Sequence, residues 1–300
     1  MNNLWQRWVH YVGQQMDPRP LALVRILVPI AIIVDLLRIL QLGLFGDMFT
    51  PHSLGGLSAI QDPHWILSHW LGSSASMVAL IVTLVCMALT SAGLWMRPAI
   101  LLGILAYAQL GHLFPPGDRA IDRILRTGLL ILLFSKADQA FSLRRVQSQP
   151  IPAWPAQLIR YFLVLVYLSS GLAKLIQQPG WLSFSADPPL LRIMIDPMAG
   201  DLNPYFWAQF PWLFRLGGFV TIAFELMSPL LLTRHAHKLA AFGVLMHIGI
   251  AITMNLGMFS WGMLSFYPLF LAPIFLPALN RSAPITPPSQ AASPKPSPTP

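Results

Sequence analysis

Residues 21–40 read LALVRILVPIAIIVDLLRIL, aliphatic at every position except Arg25, Pro29, Asp35 and Arg38. As an α-helix, about twenty residues rise about 30 Å, the depth of a bilayer's hydrocarbon core. The stretch therefore predicts a membrane-spanning helix. It is too long for the apolar core of a signal peptide, and no small-residue cleavage site follows it. Further apolar segments of about 17 to 22 residues begin near Ala75, Pro98, Ile121, Gln157, Phe214, Lys238 and Phe259, which gives eight candidate helices. The third and fourth are the shortest and most polar, leaving a re-entrant or tilted pair open there. The eighth is interrupted by Pro268 and Pro273.

Composition agrees with this reading. Only 10% of the 300 residues are charged and 55% are hydrophobic, with a mean hydropathy of +0.60. Soluble domains carry about 25% charged residues. The net charge of +8 comes from cations scattered through short loops, not from a nucleic-acid-binding patch. A single cysteine, Cys86, excludes an internal disulfide and multi-cysteine metal centres, and reads as an inert core residue. His52, His64 and His69 share a loop at spacings that fit no compact metal site. No metal is expected.

With the N-terminus cytoplasmic, the inner loops and tails hold Arg7, Arg19, Arg97, Lys136, Arg144, Arg145, Arg234, Lys238, Arg281 and Lys295; the outer loops hold Arg119 and Arg192. The positive-inside rule expects that asymmetry. The predicted fold is an all-α integral membrane bundle of about eight transmembrane helices with both termini cytoplasmic, a multi-pass protein of the cell membrane. Residues 1–20, with Trp5, Trp8, Val9 and Val12 at helical spacing, predict an amphipathic interfacial segment. Residues 21–280 form the transmembrane domain, with outer loops 42–74 and 178–212. The second of these carries Trp181, Phe184, Tyr205, Phe206, Trp207, Phe210 and Trp212, a set expected at headgroup level. Residues 281–300, rich in Pro and Ser, predict a disordered tail. There is no internal repeat.

Ionisable side chains inside spans cost at least about 2.5 kcal/mol each on insertion scales, so they mark where function is to be sought. On the fifth helix Tyr167, Ser170, Gly171 and Lys174 share one face. Gly218, Thr221, Glu225 and Ser228 form a stripe on the sixth, where Glu225 is the chain's only glutamate, and Gly243, His247, Ala251 and Asn255 form one on the seventh. The three faces are expected to meet at a cavity opening away from the cytoplasm. Asp122 and Arg126 form an i, i+4 pair on the fourth helix, also outward, and Arg25 sits at the inner end of the first. Each has a plainer reading. Lys174 and Arg25 can snorkel, and Glu225 with His247, or Asp122 with Arg126, can be packing pairs.

The run Tyr167-Leu168-Ser169-Ser170-Gly171-Leu172-Ala173-Lys174-Leu175, followed by Trp181, resembles the helix of vitamin K-dependent gamma-carboxylase that carries its catalytic lysine, and Lys174 falls on that lysine. Asp17-Pro18 with Leu21-Ala22-Leu23-Val24-Arg25 resembles the family's first-helix entry. The stretch from His247 through Asn255 to Gly257-Met258-Phe259-Ser260-Trp261 and Pro268-Leu269-Phe270 resembles its late-helix signature, and Glu225 stands where the family carries an acidic residue. These matches run in order from Asp17 to Ala272. They identify the chain as a member of the wider HTTM group, the horizontally transferred transmembrane domain.

The resemblance implies a reduced naphthoquinone (a vitamin K-type hydroquinone), O2 and CO2 as cofactors. It makes Lys174 the base that deprotonates or drives oxygenation of the membrane-soluble quinone, coupled to glutamate carboxylation. A lysine in a poorly solvated pocket gives up its charge more readily than one in water, and can then act as a base. Glu225, His247, Asn255 and Tyr167 would shape the pocket, and Arg25 would brace the first helix. Two departures limit the carry-over. The carboxylase's large soluble domain has no counterpart in the roughly twenty residues after the last helix, and its second catalytic residue, a histidine, falls at Asp122 beside Arg126. The competing expectation is a non-enzymatic membrane scaffold or maturation partner for an exported peptide or protein. A transporter is less favoured, since neither paired broken helices nor inverted repeats are present.

Overall fold

The computed structural model of the chain describes residues 5, 6, 9, 13–50, 52, 55–58, 74–144, 148–177, 179–182, 188–196, 199–200 and 202–281. Residues 1–4, 7, 8 and 10–12 of the interfacial segment, His64, His69, Phe184 and the tail from residue 282 onward lie outside the described residues.

A helix starts within three residues of each of the eight apolar segment starts. α1 is Arg19–Gln41, followed by the short α2 (Leu44–Phe49); α3 (Ala75–Ala92) and α4 (Met96–Leu113) form an antiparallel hairpin, and α5 is Ala120–Leu133. α6 is Trp154–Ile176. Short helices α7 (Pro189–Ile195) and α8 (Pro204–Trp207) lead to α9 (Pro211–Leu226) and α10 (Ala236–Thr253). The eighth segment is divided into α11 (Phe259–Leu264) and α12 (Pro268–Arg281) at Pro268, which offers no N–H to continue a helix; Pro273, expected to interrupt it as well, lies inside α12.

Four helices, α1, α3, α6 and α10, are long and apolar enough to cross a membrane. α5 has 14 residues, about 21 Å of helix, less than the roughly 30 Å of hydrocarbon. α1 is the axis of the bundle. It packs against α3, α5, α11 and α12, and Leu21, Val24, Val28 and Ile32 are fully enclosed. The outer faces of α3, α4, α6 and α10 carry exposed Val85, Leu102, Leu165 and Leu245, as lipid-facing surfaces should.

Two devices fix the ends. Strand β1 (Gln15–Met16) pairs antiparallel with β2 (Ile151–Pro152), tying the entry of α1 to the entry of α6. Ahead of α1, Asp17 accepts the Arg19 backbone N–H at 2.9 Å. It also pairs with the Arg19 guanidinium, whose hydrogen bonds hold its carboxyl below the usual aspartate range.

Arg25 does not snorkel. It is fully buried and donates to the Phe141 carbonyl at 2.6 Å, bracing α1 against the segment after α5. Gly93, at the α3–α4 turn, has φ +72°, and a Cβ there would stand 1.9 Å from Arg25 Nη1. Only glycine fits both the left-handed backbone and the arginine.

Candidate functional site

The predicted polar faces of α6, α9 and α10 do meet. Lys174 lies in the last turn of α6, yet its side chain runs back along its own helix. Nζ donates to Ser170 Oγ at 2.8 Å and to Glu225 Oε1 and Oε2 at 2.6 and 2.8 Å. An ammonium has three N–H donors, and here all three are matched within the chain. Ser170 Oγ in turn donates to Glu225 Oε1 at 3.0 Å. The indole of Trp181 lies 5.4 Å from Nζ, within cation-π range. Close approach of the helices depends on Gly171, where a Cβ would come within 3.0 Å of Glu225 Cβ and 3.2 Å of Leu226.

One turn deeper on α6 a second set follows. Tyr167 Oη lies 2.7 Å from His247 Nε2 and 2.9 Å from Tyr267 Oη, so α6, α10 and the turn before α12 share one hydroxyl-imidazole network. Phe224 packs edge-on against Tyr167. His247 Nδ1 is buried and has no hydrogen-bond partner among the described residues. The three faces expected to converge thus contact one another directly through these side chains.

Asn255 does not join them. α10 ends at Thr253, Met254 bridges to Gly200, and Asn255 is exposed with its backbone N–H bonded to the Ala199 carbonyl at 2.9 Å. Helical spacing from His247 loses its meaning once the helix has stopped.

The pairing of Asp122 with Arg126 is also corrected. Arg126 donates to Asp118 at 2.7 Å and lies over the Tyr107 ring. Asp122, at the third position of α5, accepts from Arg119 N and Nε at 2.9 and 3.0 Å and from Tyr107 Oη at 2.6 Å. The reason is local: the residue before a helix and its third residue face each other across the first turn. Arg119 also pairs with Asp35 of α1. This second network borders a cavity of about 190 Å³ lined by Phe49, Tyr107, Phe114, Asp118, Arg119 and Arg126. Lys174, Glu225 and His247 do not line that cavity. Tyr107, Tyr267 and Asp118 were missed in the sequence reading, and Arg119 was read only as a loop cation.

Gly257 closes this network from above. Its φ is +57°, and a Cβ there would stand 2.8 Å from Arg119 Nη1. Gly257→Ala is expected to lower stability by about 1–2 kcal/mol from the left-handed backbone alone, read as a fall in melting temperature. Gly249→Ala on α10, where a Cβ meets nothing within 4 Å, is the matched control and should not fall. Equal melting of the two variants would refute the close-approach reading.

Among the described residues no three His, Cys, Asp or Glu side chains come together as a metal site. The HTTM domain family matches residues 124–275. No curated protein and no solved structure matches the chain. The family match begins within α5 and runs into α12, so it takes in Lys174, Glu225, His247 and Tyr267 together. Half of the chain, including the whole Lys174-to-Tyr267 network, carries the family's pattern, and the protein belongs to the HTTM domain family.

Proposed function

We propose that this HTTM membrane protein handles a proton of a reduced, naphthoquinone-type substrate at Lys174, in a manner akin to vitamin K-dependent gamma-carboxylase. The observation that carries the reading is the direction of the Lys174 side chain. It turns away from the nearest helix end and into Ser170 and Glu225. A lysine serving only to reach the interface would do the opposite.

The chain's own residues supply a consistent set of roles. Ser170 and Glu225 fix Nζ, and the Trp181 indole covers it. A proton leaving Nζ has Glu225 as its immediate acceptor, and the amine so released can take a proton from a substrate hydroxyl. Tyr167, His247 and Tyr267 hold α6 and α10 in register behind it. The chemistry of the set suits a flat ring with polar edges: Trp181 offers an aromatic face beside Nζ, and the Lys174–Glu225 pair offers polar groups next to it. A naphthohydroquinone would be the species oxidised, O2 its oxidant and CO2 the carboxyl carbon for a glutamate acceptor, which in this reading is an exported peptide or protein. The proposal includes eight crossings of the cell membrane with both ends cytoplasmic, which places Lys174 toward the outer side.

One observation favours the alternative, a non-enzymatic scaffold or maturation partner. All three Lys174 donors are already matched, which serves packing as well as chemistry. Lys174→Arg separates the two readings, because arginine keeps the ion pair but cannot act as a base. Protein in lipid is given reduced naphthoquinone and O2, and epoxide is followed by mass spectrometry. Epoxide is expected from wild type and to fall by about a hundredfold or more in Lys174→Arg, the scale of general-base catalysis. Undiminished epoxide in the variant, or none from folded wild type, would overturn the catalytic reading.

A further inference from the structure

We infer that the cleft between the α3–α4 turn and the segment following α5 seats the phosphate of an anionic membrane lipid. This site is separate from the Lys174 network and does not depend on its chemistry. The cleft, about 450 Å³, is lined by Trp95, Arg97, Lys136, Asp138 and Arg144 among others. Arg97, Lys136 and Arg144 are exposed, and their side chains form no ion pair among the described residues. The acidic residue in the wall, Asp138, interacts electrostatically with the buried Arg25 guanidinium. Three cations lining one cleft with a single carboxylate among them leave a net positive charge, and an anion between them removes the remaining repulsion.

Exposed apolar side chains beside the cationic residues point to a lipid as the source of the anion. Trp95 in the cleft wall is 74% exposed, and Phe134, Phe141 and Leu143, within three residues of Lys136 or Arg144 in the chain, are 63%, 49% and 74% exposed. Aromatic rings beside Lys and Arg are the composition of a membrane–water interface. A soluble phosphate would need only the cations and gives no reason for the exposed apolar residues beside them.

The backbone supports a built site. Trp95 and Phe141 are the non-glycine residues with positive φ among those described, at +43° and +49°. Bulky residues rarely adopt that conformation, and it persists only where the surroundings over-determine it. Those surroundings are visible. Leu143 N–H bonds the Ala92 carbonyl at 2.9 Å, Ser142 Oγ donates to the Gly93 carbonyl at 3.1 Å, and Arg25 clamps the Phe141 carbonyl. The two walls are stapled together before any ligand arrives, so little ordering cost remains for binding.

The test uses the full chain in nanodiscs of phosphatidylcholine, with or without phosphatidylglycerol. The protein is then released into mild detergent, and retained lipids are counted by native mass spectrometry. Wild type is expected to retain phosphatidylglycerol in preference to phosphatidylcholine. Arg97→Gln/Lys136→Gln/Arg144→Gln is expected to lose that preference on the order of tenfold or more, from the worth of surface cations toward anionic lipid. Arg97→Lys/Arg144→Lys, which keeps the charges, is expected to retain it. The single Gln variants, with graded losses, keep the test decisive if the triple variant does not fold. Equal retention of the two lipids by wild type, or equal phosphatidylglycerol retention by wild type and triple variant, would overturn the proposal. Inorganic phosphate, added to phosphatidylcholine discs at matched ionic strength, is the second arm. Thermal stabilisation by phosphate that depends on the same three residues, without phosphatidylglycerol retention, would overturn the lipid in favour of a soluble anion.

Discussion

Replacing either end of the Lys174–Glu225 pair alone is expected to cost more stability than replacing both. Glu225→Leu leaves an ammonium enclosed between α6 and α9 with the Ser170 hydroxyl and the Trp181 ring as its remaining partners; Lys174→Met leaves a carboxylate there. The two side chains are 18% and 9% exposed, so water offers little compensation. Breaking a buried pair by removing one partner costs about 3–5 kcal/mol, whereas apolar replacement of both is often neutral. The double variant Lys174→Met/Glu225→Leu should therefore recover most of the loss. Unfolding in mixed micelles across the four proteins gives the coupling directly. Additive single effects of less than about 1 kcal/mol each, the range of exposed pairs, would show that the pair is not coupled. The double variant is also a tool: folded but without a base, it should produce no epoxide, which separates loss of chemistry from loss of structure.

The helices were legible because long apolar runs have one economical fate in a bilayer, and each predicted start found its helix. The convergence of Lys174, Glu225 and His247 was legible for a related reason: an ionisable residue inside such a run must face a partner, and these three lie on the small or polar faces of consecutive helices. What stayed hidden were pairings set by chain geometry at helix ends. Asp122 and Arg126 share a helical face, but the first turn of α5 gives Asp122 to Arg119 and leaves Arg126 to Asp118. Asn255 falls on the His247 stripe by counting, yet the helix ends two residues earlier. Tyr107 and Tyr267 look like ordinary apolar packing in sequence; only the folded chain shows that their hydroxyls meet Asp122 and Tyr167. A tyrosine that precedes a proline or sits in a span offers no periodic signal of that kind.

Arg119→Ala is expected to be the most destabilising change in the other network. The guanidinium joins Asp35 of α1 to Asp122 of α5, and the two carboxylate side chains are 8% and 4% exposed. Without the guanidinium, two buried like charges remain; Asp122 keeps the Tyr107 hydroxyl on one oxygen and the residue-119 backbone N–H on the other, while Asp35 loses the cation that pairs with it. Arg119 itself is 36% exposed, so water can enter the vacated space, and the expected loss is about 3 kcal/mol, the lower end for a broken buried pair. Arg119→Lys should recover part of it, since an ammonium is a point charge without the planar fork that serves two carboxylates at once. The decisive background is Asp35→Asn/Asp122→Asn, where no carboxylate is left to bridge. There Arg119→Ala should lower the melting temperature far less than in wild type. If the drop is the same in both backgrounds, Arg119 stabilises through its stem packing and its position at the start of α5, and charge bridging between α1 and α5 is not what holds this side of the bundle.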